Sequence, residues 1–349
     1  MKSLRHSGGL DSRLFVMPVV QTRSLEKHLL TDDAFKRLAG DAASAGAVLS
    51  KAGYKSFPPI IIDDTGIHKL LNEYLSDFIE EVLDFSPPEF SSCLDILLLD
   101  FDIHNIGAAL EIRSQGDVSV NSIIPIPRRR SQIYSTLAEG KDMDKRDAYH
   151  VGLFSKAADI YSSSPRRAQA WLDLEYFRRS IDVAEASRIP LFTSYARSKA
   201  DFYNILTLLR LKRMCTLYSQ VTPKDTRELY SRLIAKGGFL KEDFLLDLFP
   251  LSADLLISKL ETTPYYRSMT AGIRHYSYDM DVSQLERSMD NYLTKLCRDS
   301  KYTAIGPEPL FGYIHARKTE ITNLHLIFAV LLQGLSEHTA RERLRDSYV

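Results

Sequence analysis

One five-residue pattern occurs three times in this chain, and self-similarity of that kind is read before any single motif, because it makes the fold a set of related units. The pattern is acid, apolar, any residue, Asn, apolar. It appears as Asp102-Ile103-His104-Asn105-Ile106, Asp201-Phe202-Tyr203-Asn204-Ile205 and Glu320-Ile321-Thr322-Asn323-Leu324, with asparagines 99 and 119 residues apart. Each copy carries helical spacing: Leu324, Ile327, Phe328, Leu331 and Leu335 predict one face of a helix, as do Ile103/Ile106/Leu110 and Phe202/Ile205/Leu209. Upstream of each copy an amphipathic segment places an acid or amide just before a tyrosine: Asn72 and Tyr74, Asp173 and Tyr176, Asp290 and Tyr292. Tyr74 and Tyr292 each precede their asparagine by 31 residues and Tyr176 by 28, so the register is held over two helices.

A further echo joins the first and third copies. Leu30 to Leu38 resembles Leu240 to Leu248, and Leu49 and Leu260 each precede a tyrosine, Tyr54 and Tyr265, by five residues. The middle copy is weaker here, with only Ile133 and Leu137 suggesting the same helix. The expected organisation is a flexible tip over 1–12 followed by helical repeats over 13–117, 118–219 and 220–349. The joins have turn chemistry: Gln115-Gly116, Pro125 to Pro127, Thr222-Pro223 and Gly237-Gly238. No segment shows sustained two-residue alternation between turn signals, so the fold class is all-α.

The recurring polar residues, Asp102, Asn105, Asp201, Asn204, Glu320 and Asn323, read as a structural repeat motif. An Asn near a helix start, with an acid three residues earlier, caps a helix or crosslinks neighbouring helices through its amide. A catalytic role needs titratable partners that recur with it, and none does; no catalytic, cofactor-binding or metal-binding residue is predicted.

Composition narrows the function classes. Lys plus Arg and Asp plus Glu both number 45, so the molecule has no net field to draw in nucleic acid or an anionic bilayer. The apolar run Leu324 to Leu332 is interrupted by His325 and falls short of the roughly 20 residues a spanning helix needs. The N-terminus lacks the apolar core of a signal peptide, which points to the cytoplasm. Cys93, Cys215 and Cys297 lie far apart, without a CxxC pair, and read as reduced thiols; the nine histidines show no HExxH.

Two local patterns compete with this reading. Ser7-Gly8-Gly9-Leu10-Asp11-Ser12 spells the phosphate loop of ATP pyrophosphatases, but only six polar and basic residues precede it where that loop requires a buried strand. Arg128-Arg129-Arg130 and Arg166-Arg167 read as solvated loops, with contact to an acidic partner as the alternative.

The stretch Ile305 to Val349 resembles the end of the C-subunit family of V-type (V/A-type) ATP synthases, which is related to the d subunit of the eukaryotic V-ATPase. Lys318-Thr319-Glu320-Ile321-Thr322-Asn323-Leu324 matches the family's KExEIxNL pattern, and Arg341 to Val349 matches its closing residues. The resemblance runs upstream through Arg23 to Glu26, Leu29-Leu30, Asp100 to Arg113, and Leu172 to Arg210. It departs at the front, where Pro18 is expected to break or kink a first helix. It implies three helical subdomains forming a funnel about a pseudo-threefold axis, a non-catalytic socket that couples the D and F subunits of the central shaft to the membrane proteolipid ring. That places the chain peripherally on the cytoplasmic face of the cell membrane, with no cofactor and no small-molecule substrate of its own. The alternative is a helical-repeat scaffold for a soluble partner.

The motif reading carries a direct test. Asn323→Leu should strand its hydrogen-bond partners and destabilise the chain by roughly 1–3 kcal/mol; an unchanged thermal unfolding curve would refute the packing role.

Overall fold

Helix boundaries follow local chemistry closely in the computed structural model, which describes residues 10–40, 45–54, 64–115, 122–141, 148–218, 220 and 222–349. Ser7 to Gly9 and Gly116 lie outside the described residues. A first run of helices comprises α1 (Val16–Glu26), α2 (Asp32–Gly40), α3 (Ala45–Lys51), α4 (Asp64–Phe85), α5 (Phe90–Cys93) and α6 (Asp95–Gln115). A second comprises α7 (Arg128–Ala138), α8 (Ala148–Ser163), α9 (Pro165–Ser187) and α10 (Pro190–Leu217). The third comprises α11 (Pro223–Leu233), α12 (Glu242–Leu248), α13 (Ala253–Leu260), α14 (Tyr266–Asp279), α15 (Ser283–Arg298), α16 (Glu308–Leu332) and α17 (Glu337–Arg343). There is no strand among the described residues, and the fold is all-α as expected.

Proline opens α9, α10 and α11, where its missing N–H loses no intrahelical bond. Ser164, Thr222, Ser252 and Ser336 cap their helices by accepting the N–H three residues on. Pro18 obeys the same rule rather than the expected one. It occupies the first turn of α1, so the helix is intact, and its carbonyl accepts the Thr22 hydroxyl at 2.8 Å. At the other end, α16 stops at Leu332, and Leu335 lies beyond it, exposed, instead of extending the apolar face.

The long motif-bearing helices set the packing. α6 lies against α9, α10 against α15, and α16 against α4. Each therefore packs on a helix carrying one of the tyrosines Tyr176, Tyr292 and Tyr74, and the last helix of the series returns to the first run. The two ends of the described chain meet there. Arg23 Nη2 donates to the carbonyls of Ser300, Lys301 and Thr303 at 3.0, 2.8 and 3.2 Å. Ser347 N–H donates to Asp32 at 2.8 Å, and the Tyr348 hydroxyl to Glu26 at 3.2 Å. Between these helices runs one core, which includes Phe192, Tyr195 and Phe311 where α10 meets α16.

Close helix contact depends on Gly272 in α14. A Cβ built there falls 2.6 Å from the backbone Cα of Leu285 in α15, and backbone cannot give way as a side-chain tip can. Gly272→Ala is expected to force α14 off α15 and to destabilise the protein by about 1–3 kcal/mol, read as a lowered denaturation midpoint; a wild-type midpoint would show that the helices separate without strain.

Candidate functional site

The three motif asparagines do one and the same thing. All are fully buried, and each sits in mid-helix rather than near a helix start, so none acts as a cap. Each side-chain amide instead grips a single residue of another segment at two points. Asn105 donates to the Ile124 carbonyl at 2.9 Å and accepts the Ile124 N–H at 2.7 Å. Asn204 makes the same pair with Ala235 at 2.9 and 2.8 Å, and Asn323 with Arg345 at 2.9 and 2.9 Å. A primary amide offers a donor and an acceptor side by side, which lets it stand in for the edge of a neighbouring strand.

The acids three residues earlier clasp further segments. Asp201 accepts the N–H groups of Phe239 and Leu240 at 2.9 and 3.1 Å and the Tyr265 hydroxyl at 2.7 Å. Gly238 lies flat against this carboxylate, and a Cβ there would overlap it. Glu320 accepts the Leu30 N–H at 2.7 Å and the Tyr54 hydroxyl at 2.5 Å, and pairs with the buried Arg317, whose guanidinium lies 3.9 Å over the Phe78 ring. Leu30 and Leu240, and Tyr54 and Tyr265, are the pairs that matched in sequence.

Asp102 differs. It accepts Arg130 Nη1 at 2.9 Å, while Arg130 also reaches Asp95 at 2.5 Å and Arg179 holds Asp95 at 2.9 Å. The Arg128 to Arg130 cluster is thus the first turn of α7, with Arg128 paired to Asp77 and Arg130 largely buried, and not a solvated loop. Arg166 and Arg167 are exposed, in the first turn of α9. Burial pushes the Asp102 carboxyl up to about 7, with Arg130 opposing, and pushes Asp201 up to about 6 against its hydroxyl and amide donors.

The three motif helices converge on charge. Asp100, Lys199 and Lys318 each lie five residues before a motif asparagine, and they meet. Lys318 Nζ donates to both Asp100 oxygens at 3.0 and 2.9 Å and to the Leu97 carbonyl, and Lys199 Nζ reaches Asp100 at 3.5 Å. The two ammonium groups lie over Phe101 and Tyr176, at 4.6 and 4.9 Å. The Asp100 side chain is set deep among the helices yet retains 41% of its exposure, because it borders an open cleft. Burial works to raise its pKa; Lys318 and Lys199 outweigh that and hold it below the ordinary carboxylate value. Burial lowers Lys318 to about 8, which Asp100 only partly offsets.

Residues 18–343 match the family model described as ATP synthase (C/AC39) subunit. The chain belongs to that family. It is similar to the C subunit of the A-type ATP synthase of Methanobrevibacter smithii, 25% identical over 76% of this chain and 71% of the relative. It is similar also to the C subunit of the A-type ATP synthase of Thermococcus gammatolerans, 21% identical over 93% and 88%, and to the C subunit of the V-type sodium ATPase of Enterococcus hirae, 24% identical over 95% and 97%. The chain is therefore one subunit of a rotary A/V-type ATPase, an assembly of several. No helix of the described residues is long and apolar enough to cross a membrane.

The charged centre of this subunit escaped the sequence reading, although its signal was present. The offset from each asparagine is constant, but the residue types differ, so a search for like residues passes over it. The Asp11 of the glycine-rich N-terminal stretch is likewise local, accepting the Arg13 N–H at 3.1 Å to open a short 3-10 turn over Ser12–Phe15. Of the described residues, only His275, Asp279 and Asp281 bring three ligating atoms within 4.8 Å, at an exposed helix end where His275 and Asp279 already pair at 3.0 Å.

Beside the charged centre His315 is buried between the Tyr195 hydroxyl at Nδ1 and Thr294 Oγ1 at Nε2, each 3.1 Å away. Burial, then the charges of Lys318 and Lys199, push its pKa down to about 3. The unfolded ring takes its proton near pH 6.5, so below that pH the unfolded chain binds the extra proton and stability falls as the pH drops. His315→Gln removes that contribution. The stability advantage of wild type over the variant should shrink by about 2 kcal/mol between pH 7 and pH 5. Denaturant melts at both values test this, and a pH-independent difference would exclude it.

Proposed function

We propose that this protein is the coupling piece of the rotor: a non-catalytic socket of three helical units, 13–117, 118–219 and 220–349, set about a pseudo-threefold axis. In this reading it sits on the cytoplasmic face of the membrane on the proteolipid ring, and it receives the shaft formed by the D and F subunits. Torque passes through it while ATP is handled by other parts of the assembly.

The observation that carries the reading is the cyclic order of contacts. Each motif helix packs on the tyrosine-bearing helix of the next run, and α16 returns to α4. Each motif also holds a segment of the following run or of the chain end. Asn105 and Asp102 hold Ile124 and Arg130, Asn204 and Asp201 hold Ala235 to Leu240, and Glu320 holds Leu30 and Tyr54. The three positions five residues before the asparagines then meet as Asp100, Lys199 and Lys318, as equivalent positions about one axis would. A torque-bearing part has to resist shear between its units. Helices joined by buried, hydrogen-bonded polar clasps over a packed core supply that resistance, since each clasp has one geometry and a steep penalty for leaving it.

The test is co-elution of the chain with co-expressed D and F subunits on size exclusion, repeated with the detergent-solubilised ring. Binding to both is expected. A folded monomer that ignores both would favour a helical scaffold for some soluble partner.

A further inference from the structure

The cleft bordered by Asp100 has a volume of about 720 Å³ and lies between α6 and α9, with Tyr203 of α10 closing one side. Comparison of the three motif helices shows why it is open. Two residues after the motif asparagine stand Gly107, Leu206 and His325; six residues after it stand Glu111, Arg210 and Ala329. Between α10 and α15, Leu206 is packed against the core and Arg210 donates to Glu286 at 2.5 Å, bridging the two helices. Between α16 and α4, His325 meets His68 edge-to-face with ring centres 4.1 Å apart. Between α6 and α9 the same positions carry a glycine and a carboxylate. A Cβ at Gly107 would meet nothing closer than Gln169 Oε1 at 3.7 Å, so the space is unfilled, and the Glu111 carboxylate makes no hydrogen bond or ion pair among the described residues.

The chemistry of the lining is one-sided. The floor is aromatic, from Tyr176, Phe177 and Tyr203, and the carboxylates are Asp100, Glu111 and Asp173. Asp173 accepts the Gln169 amide at 2.8 Å. The cations nearby are committed elsewhere: Lys199 and Lys318 to Asp100, and Arg210 to Glu286. Glu111 is thus left without an ion pair among the described residues; Asp173 forms none there either, feeling the Arg210 charge only through space, and with the Tyr176 face taken by Lys199 the rings beside them are Phe177 and Tyr203.

We propose that this groove is the docking site for a lysine- or arginine-bearing helical segment of a partner protein in the rotary assembly. Its cation would pair with Glu111 and Asp173 while its apolar stem lies on the aromatic floor, and Gly107 lets its backbone approach α6. The proposal rests on the coupler reading for the existence of such partners. It goes beyond that reading in choosing one junction of the three, the sign of charge and the residues.

Two substitutions and one crosslink test it. Gly107→Leu installs the side chain that fills the equivalent place in α10, and Glu111→Lys reverses the unpaired charge at an exposed position, so it remains decisive if the leucine variant fails to fold. Each should weaken binding to the D/F pair or to the solubilised ring about ten-fold, with the thermal midpoint of Glu111→Lys unchanged. A photo-reactive phenylalanine placed at His104, on the groove's lip, should form an adduct in the purified assembled complex that maps to a Lys- or Arg-rich segment of another protein. Wild-type affinity for both partners in both variants, with no adduct outside this chain, overturns the groove alone. A wild-type chain that binds neither partner and gives no adduct overturns the coupler reading as well.

Discussion

A buried polar group must find its partner inside the protein or be left unsatisfied at a cost of about 1–3 kcal/mol, and this fold is organised around three places where that demand is met in the same way. Asn105, Asn204 and Asn323 are buried in mid-helix, where their helices' own backbone groups are already bonded, so each amide must turn outward to a different segment. The segments they take have backbone groups with no helix to pair with. Ile124, Ala235 and Arg345 all lie in non-helical chain, and the asparagine supplies both the donor and the acceptor that a strand partner would have given. The two needs cancel each other, and the connecting segments are pinned to the long helices without any sheet.

The acids extend this logic into a more expensive regime. A carboxylate in the interior is tolerated only when several donors converge on it. Asp201 has two N–H groups and a tyrosine, whereas Glu320 has an N–H, a tyrosine and an arginine. Asp102 has a single arginine shared with Asp95, and one of its oxygens is buried with no partner, so burial carries its pKa further up than that of Asp201. The same repeat position thus ranges from a satisfied clasp to a strained one, depending on how many donors the opposing run happens to supply.

Where the three motif helices meet, the positions five residues before the asparagines carry one aspartate and two lysines. Three like charges there would repel in a region of low effective dielectric, and three apolar residues would let the runs associate in any order. One carboxylate held between two ammonium groups makes one arrangement of α6, α10 and α16 electrostatically preferred, while the open cleft keeps Asp100 partly hydrated. The lysine stems and aromatic faces around it add packing to the charge.

The sequence by itself determined the helical class, the threefold recurrence and the motif residues, because periodicity and spacing are properties of consecutive residues and survive without any knowledge of what lies opposite. It also paired Leu30 with Leu240 and Tyr54 with Tyr265, which then proved to face the same kind of carboxylate. Tertiary structure decided what each motif holds. The partners of the asparagines lie 19, 31 and 22 residues downstream, in segments with no common pattern. It also decided that Arg130 is a buried bridge, that Pro18 sits harmlessly in a first turn, and that Gly107 opens a groove its counterparts close. Those outcomes depend on where distant stretches of chain pass in space. A glycine, an arginine or an aspartate carries no local sign of the group that will be brought against it.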